Sequence, residues 1–299
     1  MPGEPLVSVV VASTSGDPAL PDRLQALVRQ LAETRIEILL VDRSGAALRS
    51  EVRRRFPEVR VVAAEGHASL PSLRATGIAE ARGMMVAVLG EHFRVGPTWL
   101  AALVEAQRDG RQVVGGPIED AGAQGLCARA FYLCEYALFM PPIARGLVPA
   151  LAGNNCAYER ALLSRLSPEA TRDVWDAVLH ARIRAAGVPF FNDPALEVSC
   201  EKRPSYGHLL SQRYHCSRAF AALRSRAWPR WKRLGFAAAT LLVPALVVAR
   251  LIATLTVKRR GWRELVKAFP VVVSIAVCWG CGDAVGVLLG SGRSLERVE

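Results

Sequence analysis

Short apolar runs alternate with helically spaced segments over the first part of the chain. The most continuous run covers residues 84–89, lies between Gly83 and Gly90, and predicts a strand that is buried on both faces. The run stops at Glu91 and His92, two polar residues that follow the predicted strand directly. In an open parallel sheet, ligands bind beyond the carboxyl ends of the strands, so this position is a candidate for chemistry.

The same pattern of strands and helices extends on both sides of this run. Strands are predicted at residues 6–12, 36–41, 59–63 and 112–118, with a final short pair within 190–198. Helices are predicted at residues 18–31, 70–82, 97–107, 126–139 and 173–186, and residues 149–158 are predicted to form a loop that enters a helix. Alternation at this rhythm is typical of βαβ units, so we expect an α/β fold around a mainly parallel sheet.

Acidic side chains follow two of the predicted strands. Asp42 ends the second strand and Glu91 follows the run at 84–89, so both are expected to face one crevice. A carboxylate next to a neutral imidazole, as in Glu91-His92, can hold a divalent ion, and such an ion can neutralise a diphosphate. The residues alone leave open an ordinary polar turn between a strand and a helix.

Two further polar groups are candidates for a binding or catalytic site. Gly153 permits a close backbone approach to a ligand, and the Asn154 and Asn155 amides offer both donors and acceptors. A turn with a helix N-cap is an equally acceptable interpretation of this pair. Asp176 and His180 are spaced to share one face of a predicted helix, a pattern that is also typical of a solvated helix surface.

Composition separates the second part of the chain from the first. The chain of 299 residues is 51% hydrophobic and carries a formal charge of +11. Residues 202–233 contain nine Lys or Arg and no acid, interleaved with aromatic side chains, which is typical of a surface that lies against anionic lipid headgroups. A nucleic-acid surface is the weaker alternative because two hydrophobic segments follow directly. The seven scattered cysteines indicate no disulfide framework.

The hydrophobic segments cover residues 234–255 and 268–290. Each is long enough, at about 1.5 Å per residue, to cross about 30 Å of hydrocarbon, although the second contains Asp283. A basic loop at residues 258–267 connects them. If both segments crossed the membrane and the catalytic domain were cytosolic, this loop would lie outside the cytoplasm. Basic loops tend to stay on the cytoplasmic side, so this topology is disfavoured. We therefore expect the first segment to be re-entrant or interfacial, bent at Pro244.

Several spaced features stand in a fixed order along the first part of the chain. They are the apolar run at 7–11, the strand at 37–42, the segment at 74–83, Glu91-His92 with Trp99, Gly153-Asn154-Asn155, and Asp176 ahead of Ala186-Gly187. Together they resemble the family-2 glycosyltransferases of the GT-A fold, a Rossmann-like sheet with flanking helices, over about residues 6–200. A membrane-associated bacterial branch is the most similar, through residues 115–121, Glu135-Tyr136 with residues 139–142, and Trp175-Asp176 with His180.

The resemblance implies an inverting, metal-dependent glycosyltransferase that uses a nucleotide-sugar donor, a divalent ion (Mn²⁺ or Mg²⁺) and a membrane-associated, polyprenyl- or lipid-linked acceptor. Asp42 matches the acid that holds the nucleoside, and Glu91 and His92 occupy the place of the metal motif. Asp176 matches the general base that acts on the acceptor. Donor or substrate contacts are implied for Ser13, Arg74, Asn154, Asn155 and Trp175.

The chain departs from the family's pattern at three strand ends. Arg43-Ser44-Gly45 follow Asp42 where acids are usual, Gly90-Glu91-His92 replace an Asp-rich metal turn, and Ser13-Thr14 begin a loop that usually carries Asn-Glu. These departures favour an alternative, a catalytically inactive GT-A-like protein that serves as a membrane-bound binding or scaffold subunit. A nucleotidyltransferase is a second alternative, but residues 14–17 lack the Gly-rich basic signature of that class.

We therefore expect three parts along the chain. They are a GT-A domain at residues 1–201, a basic amphipathic interfacial segment at 202–233, and membrane-associated hydrophobic segments at 234–299. The start of the chain has no basic region ahead of its apolar run, so no signal peptide is expected. The catalytic domain is expected to face the cytoplasm at the inner (cell) membrane, in contact with anionic lipid and not with nucleic acid.

Overall fold

The computed structural model describes residues 5–31, 36–122, 125–166 and 176–298. The chain divides into two compact units. The first comprises Met1–Ala121 and Phe139–Glu201, and the second comprises Gly122–Leu138 and Lys202–Glu299. Residues 122–138 thus lie in the second unit, although they fall within the domain expected at 1–201.

Strands β1 to β11 all contribute to sheets of the first unit. They are β1 (Val7–Ser13), β2 (Ile36–Asp42), β3 (Val59–Ala63), β4 (Met85–Gly90), β5 (Phe93–Val95), β6 (Val113–Gly115), β7 (Ile118–Asp120), β8 (Gly146–Val148), β9 (Asn155–Glu159), β10 (Phe190–Asn192) and β11 (Val198–Cys200). Eight of them form a mixed sheet in the order β3-β2-β1-β4-β9-β6-β10-β8. Strands β1 to β4 run parallel, whereas β9 is antiparallel to both of its neighbours. The order of the second sheet is β5-β11-β7.

The helices are numbered along the chain. They are α1 (Leu20–Val28), α2 (Ala46–Arg55), α3 (Leu70–Glu80), α4 (Trp99–Arg108), α5 (Leu126–Tyr136), α6 (Arg160–Leu166), α7 (Asp176–Ala185), α8 (Tyr206–Arg224), α9 (Arg230–Ala239), α10 (Val243–Lys258) and α11 (Trp262–Leu289). Helices α5 and α8 to α11 belong to the second unit, and the others flank the sheets of the first.

The centre of the first unit follows directly from the apolar pattern. Every residue of β1 is buried, because its β-branched side chains fill both faces of a central strand. Helix α3 packs closely on this strand because Gly77 has no side chain, and a Cβ there would overlap the side chain of Val10. The expected mainly parallel sheet with flanking helices is therefore confirmed for the strands that precede Glu91.

Two expectations about strands are wrong. Residues 155–159 form β9, not a loop that enters a helix, because β4 and β6 pair with it on both sides and satisfy its backbone. The single strand expected at 112–118 is divided into β6 and β7 by Gly116 and Pro117. A Cβ at Gly116 would overlap the backbone of Leu196, and Pro117 has no N–H to donate to a ladder.

The second unit is helical, and α11 packs along α8. Gly282 and Gly286 allow this approach, because a Cβ at either position would overlap atoms of α8. Two helical stretches, Arg230–Lys258 and Trp262–Leu289, are long and apolar enough to cross a membrane. A turn of 3₁₀ helix at Thr240–Leu242 interrupts the first stretch just ahead of Pro244.

Candidate active site

The ends of β1, β2 and β4 lie side by side at one edge of the large sheet. Ser13 pairs with Asp42 in the register of β1 and β2, and Ala12 pairs with Gly90 in the register of β1 and β4. Because these strands are parallel, the residues that follow them emerge at the same edge. The structure thus brings Asp42, Ser13 and Glu91 together, as the strand pattern predicts.

Asp42 is fully buried and anchors the turn that follows β2. Its Oδ1 accepts hydrogen bonds from the backbone N (3.0 Å) and Oγ (2.6 Å) of Ser44. Its Oδ2 accepts from the backbone N of Gly45 at 3.3 Å and from Nη1 of Arg49 at 3.0 Å. The carboxylate therefore fixes the position of the turn at residues 43–45 and does not itself project into open space.

Glu91 connects the end of β4 to the loop after β1. Its Oε2 accepts a hydrogen bond from Ser13 Oγ at 2.9 Å, and its Oε1 accepts from Thr14 N at 3.1 Å and Thr14 Oγ1 at 2.8 Å. The residue is only 5% exposed. The predicted metal-motif acid thus also holds the first loop of the site in place.

His92 is held by an ion-pair network behind the strand ends. Its Nδ1 lies 3.1 Å from Oδ2 of Asp17, and Arg23 Nη1 donates to the same oxygen at 2.7 Å. The hydrogen bond with His92, assisted by Arg23 and opposed by partial burial, holds the pKa of the Asp17 carboxyl well below its usual range. Arg23 also donates to the backbone oxygen of Glu91 at 3.1 Å and to Glu201 at 2.8 Å. Asp17 therefore orients the imidazole and leaves Nε2 on the opposite side of the ring.

Burial of Glu201 alone would raise the pKa of its carboxyl. The hydrogen bonds from Arg94 at 2.6 Å and from Arg23 outweigh that effect and leave the pKa below its ordinary value. An ionised Glu201 therefore completes the network that fixes Arg23.

A second cluster joins α3, α7 and the loop before β9. Arg74 Nη1 donates to Asp176 Oδ1 at 2.7 Å, and Arg74 Nη2 donates to Asn154 Oδ1. The backbone oxygen of Asn154 accepts a hydrogen bond from the N of Gly90 at 3.1 Å, which links this cluster to the end of β4. The general base implied by the resemblance therefore reaches the same edge of the sheet as Asp42 and Glu91.

Asn155 lies inside the protein and is 1% exposed. Its Oδ1 accepts a hydrogen bond from Trp99 Nε1 at 3.0 Å, and its Nδ2 donates to the carbonyl oxygens of Leu196 (2.7 Å) and Pro117 (3.3 Å). These contacts connect β9 to α4 and to the second sheet. The adjacent pair of asparagines is thus divided: Asn154 faces the site and Asn155 is bonded to protein groups.

His180 lies behind the second cluster, one turn along α7 from Asp176. Its Nε2 is 2.7 Å from the hydroxyl of Tyr158, and both side chains are buried. Burial lowers the pKa of His180, so that the imidazole stays neutral at physiological pH. His180 therefore points into the protein, whereas Asp176, one turn earlier on the same helix, is partly exposed.

Glu91 and His92 are the candidate metal ligands, and His92 Nε2 lies 3.8 Å from Glu91 Oε1. Across the described residues, no group of three or more His, Cys, Asp or Glu side chains is placed to hold a metal ion. Magnesium-type ions commonly bind through one or two protein ligands together with substrate phosphates. The pair therefore fits an ion that arrives with a donor diphosphate and does not fit an ion held by protein ligands alone.

Sequence reasoning missed Thr14, Asp17 and Arg23 as parts of the site. The first two follow β1 at the same edge as Asp42 and Glu91, so the strand-end argument contained the signal for them. Arg23 lies on α1, and only its contacts with two acids distinguish it from an ordinary helix residue. The predicted substrate residue Trp175 lies outside the described residues.

The chain has the GT-A glycosyltransferase fold. Its marks here are the parallel strands β1 to β4, the polar residues at their ends, and the antiparallel strand β9 beside β4. The model of the family described as glycosyl transferase family 2 matches residues 8–166, more than half of the chain, and the protein belongs to that family. It is a glycosyltransferase of the class that uses nucleotide-sugar donors, and the expected fold and family are confirmed.

A solved structure has the same fold: the mannosyltransferase PcManGT from Pyrobaculum calidifontis in complex with GDP-Man and Mn²⁺. It is 18% identical, with a TM-score of 0.55, and the match covers 92% of this chain and 86% of that chain. No curated relative matches the chain significantly.

Proposed function

We propose that this protein transfers a sugar from a nucleotide-sugar donor to a membrane-associated acceptor, with inversion at the anomeric carbon. The observation that carries the proposal is the convergence of Asp42, Glu91-His92 and Asp176 at one edge of the sheet. Donor diphosphate and acceptor base are needed on opposite sides of one sugar, and this edge supplies both from separate elements.

Residues at the ends of β1 and β2 would bind the donor. Asp42 holds the turn at 43–45 that would contact the nucleoside, and Ser13 is fixed against Glu91. Glu91 and His92 would hold a Mn²⁺ or Mg²⁺ ion that arrives with the diphosphate, and such an ion supplies countercharge to the leaving group. GDP-mannose is the first donor to test because the similar mannosyltransferase was solved with it.

Asp176 would act as the general base on the acceptor. Its side chain is 33% exposed, so one carboxylate oxygen can reach an acceptor hydroxyl while the other is bonded to Arg74. The acceptor oxygen forms a bond to the anomeric carbon and its proton goes to Asp176. The bond from that carbon to the diphosphate breaks, and its electron pair leaves with the nucleoside diphosphate. A single displacement of this kind inverts the anomeric configuration.

The second unit supports an acceptor in the membrane. It exposes large apolar side chains, among them Leu241 (83%), Val257 (81%) and Leu289 (75%). The basic residues at 202–233 favour an anionic headgroup surface over a neutral one. We propose a polyprenyl- or otherwise lipid-linked acceptor at the cytoplasmic face of the inner membrane, with the first apolar stretch re-entrant or interfacial.

The activity is tested with the full-length protein in detergent, a panel of nucleotide sugars, and lipid-linked acceptors that carry a free hydroxyl, such as a polyprenyl-linked sugar, with and without Mn²⁺. We expect release of nucleoside diphosphate and an anomerically inverted product by NMR. Asp176→Asn should lower turnover by about 10²-fold or more, whereas the exposed Asp109→Asn control should not. A product of retained configuration contradicts the inverting mechanism.

The alternative is a catalytically inactive GT-A-like binding protein. One observation favours it: the hydrogen bonds that Glu91 already accepts from Ser13 and Thr14 compete with metal binding. Binding of a nucleotide sugar without turnover towards any acceptor in the panel would support this alternative.

Membrane topology has its own test. A single cysteine placed at Arg260, in a variant without other cysteines, is treated in intact cells with an impermeant thiol reagent. We expect protection from the reagent until the membrane is permeabilised. Labelling from outside would show that the basic loop is exported by a two-span hairpin.

A further inference from the structure

The buried guanidinium of Arg74 binds two other residues of the candidate site at once. One terminal nitrogen donates to Asp176 Oδ1 at 2.7 Å and the other donates to Asn154 Oδ1. The three residues come from α3, α7 and the loop before β9, so the contact exists only in the folded chain. We name Arg74, Asn154 and Asp176 the arginine clamp.

The arginine clamp also reaches the turn at which the donor diphosphate would lie. The backbone oxygen of Asn154 accepts a hydrogen bond from the N of Gly90 at 3.1 Å, and Gly90 directly precedes Glu91 and His92. A continuous series of bonds therefore runs from the Asp176 carboxylate to the end of β4. This series fixes the position of the base relative to the Glu91-His92 turn.

Gly153 provides the space in which the Asp176 carboxylate lies. A Cβ at Gly153 would overlap Cγ and Oδ2 of Asp176. Arg74 bonds Oδ1, and within the described part of the chain Oδ2 accepts no hydrogen bond. One oxygen of the carboxylate is therefore fixed in place, and the other remains for an acceptor.

The same contacts hold the Arg74 guanidinium inside the protein. Its side chain is 6% exposed and both of its terminal nitrogens already donate to protein oxygens. We propose that Arg74 is a positioning residue that aims the general base Asp176 at the acceptor, and that it does not contact the donor phosphates. This inference rests on the proposed function, because it assigns Arg74 a role in that reaction. A displacement of about 1 Å in a reacting group can cost about 10²-fold in rate.

The test compares Arg74→Gln and Arg74→Lys in the full-length protein, with Arg55→Gln as a matched control. Arg55 also pairs with two acids, Glu51 at 3.1 Å and Asp22 at 3.3 Å, but neither acid belongs to the candidate site. Arg74→Gln should lower kcat by about 10²-fold, with donor KM and donor Kd within about twofold of wild type. Arg74→Lys should recover part of kcat, since an ammonium keeps the charge and one of the contacts. A tenfold or larger rise in donor Kd would overturn the proposal.

A double-mutant cycle measures the coupling between Arg74 and Asp176 without any assay of activity, so it tests the arginine clamp separately from the proposed function. Thermal unfolding is measured for Arg74→Gln, Asp176→Asn and the double variant, and the two effects should be clearly less than additive. Additive effects would overturn the clamp even if the enzyme is active. Absence of wild-type turnover with a donor that binds would refute the proposed function instead. If Arg74→Gln does not fold, Asn154→Ala removes one contact of the clamp, and unchanged kcat in that variant would overturn the proposal.

Discussion

Glu91 offers the sharpest test of how the site is built, because two substitutions separate its hydrogen bonds from its charge. Glu91→Ala leaves the Ser13 hydroxyl and both donors of Thr14 without their acceptor. Ser13 is fully buried, whereas water can reach Thr14 in part. Each unsatisfied buried group costs about 1–3 kcal/mol, so we expect a loss of about 3 kcal/mol in the free energy of unfolding.

That loss corresponds to a fall of roughly 6–12 °C in the Tm of the first compact unit, which contains Glu91. Glu91→Gln should stay within about 3 °C of wild type, because its amide oxygen accepts from Thr14 and its amide nitrogen donates to Ser13 Oγ. The glutamine removes the negative charge, so the half-saturating Mn²⁺ concentration for turnover should rise by about tenfold or more.

The assay is differential scanning fluorimetry of the full-length protein, combined with turnover over a range of Mn²⁺ concentrations. Glu105→Ala is the control, since Glu105 is 63% exposed and pairs with Arg145. If Glu91→Ala melts at the wild-type temperature, the hydrogen bonds do not hold the first loop. If Glu91→Gln keeps the wild-type response to Mn²⁺, Glu91 is not a metal ligand.

Three further predictions concern the packing behind the site. Gly153→Ala should lower kcat by about 10²-fold, because its Cβ displaces the Asp176 carboxylate; a wild-type kcat would contradict the packing argument. Asn155→Ala should lower the free energy of unfolding by about 3–5 kcal/mol in urea titrations, since Trp99 Nε1 and two carbonyls lose their partner; a loss below about 1 kcal/mol would refute that role. Burial lowers the pKa of His180 in the folded protein. As pH falls below about 6.5, the unfolded chain therefore takes up a proton on this imidazole before the folded protein does, and the free energy of unfolding should decrease from about pH 7 to 5. His180→Gln should flatten that dependence, and an unchanged slope would show that His180 is not its source.

The family and the main parallel strands follow from the sequence because their signals are local. Continuous apolar runs cover residues 9–12 of β1, 38–41 of β2 and 85–89 of β4, and a parallel strand buried on both faces requires that composition. The strand-end rule then places Asp42 and Glu91 at one edge without any coordinates. The composition of residues 202–233 and the two apolar stretches likewise identify a separate C-terminal part.

The pairing of distant segments is decided only by the tertiary structure. Strand β9 has a short and partly polar sequence, and its place in the sheet depends on β4 and β6 on either side. Asn154 and Asn155 are chemically identical, but their backbone positions direct one amide to Arg74 and the other to Trp99. Side-chain direction within a fold, unlike apolar periodicity, depends on contacts between residues far apart in the chain. For that reason the sequence places Asp42 and Glu91 at one edge of the sheet, whereas the hydrogen-bond partners of each acid are known only from the structure.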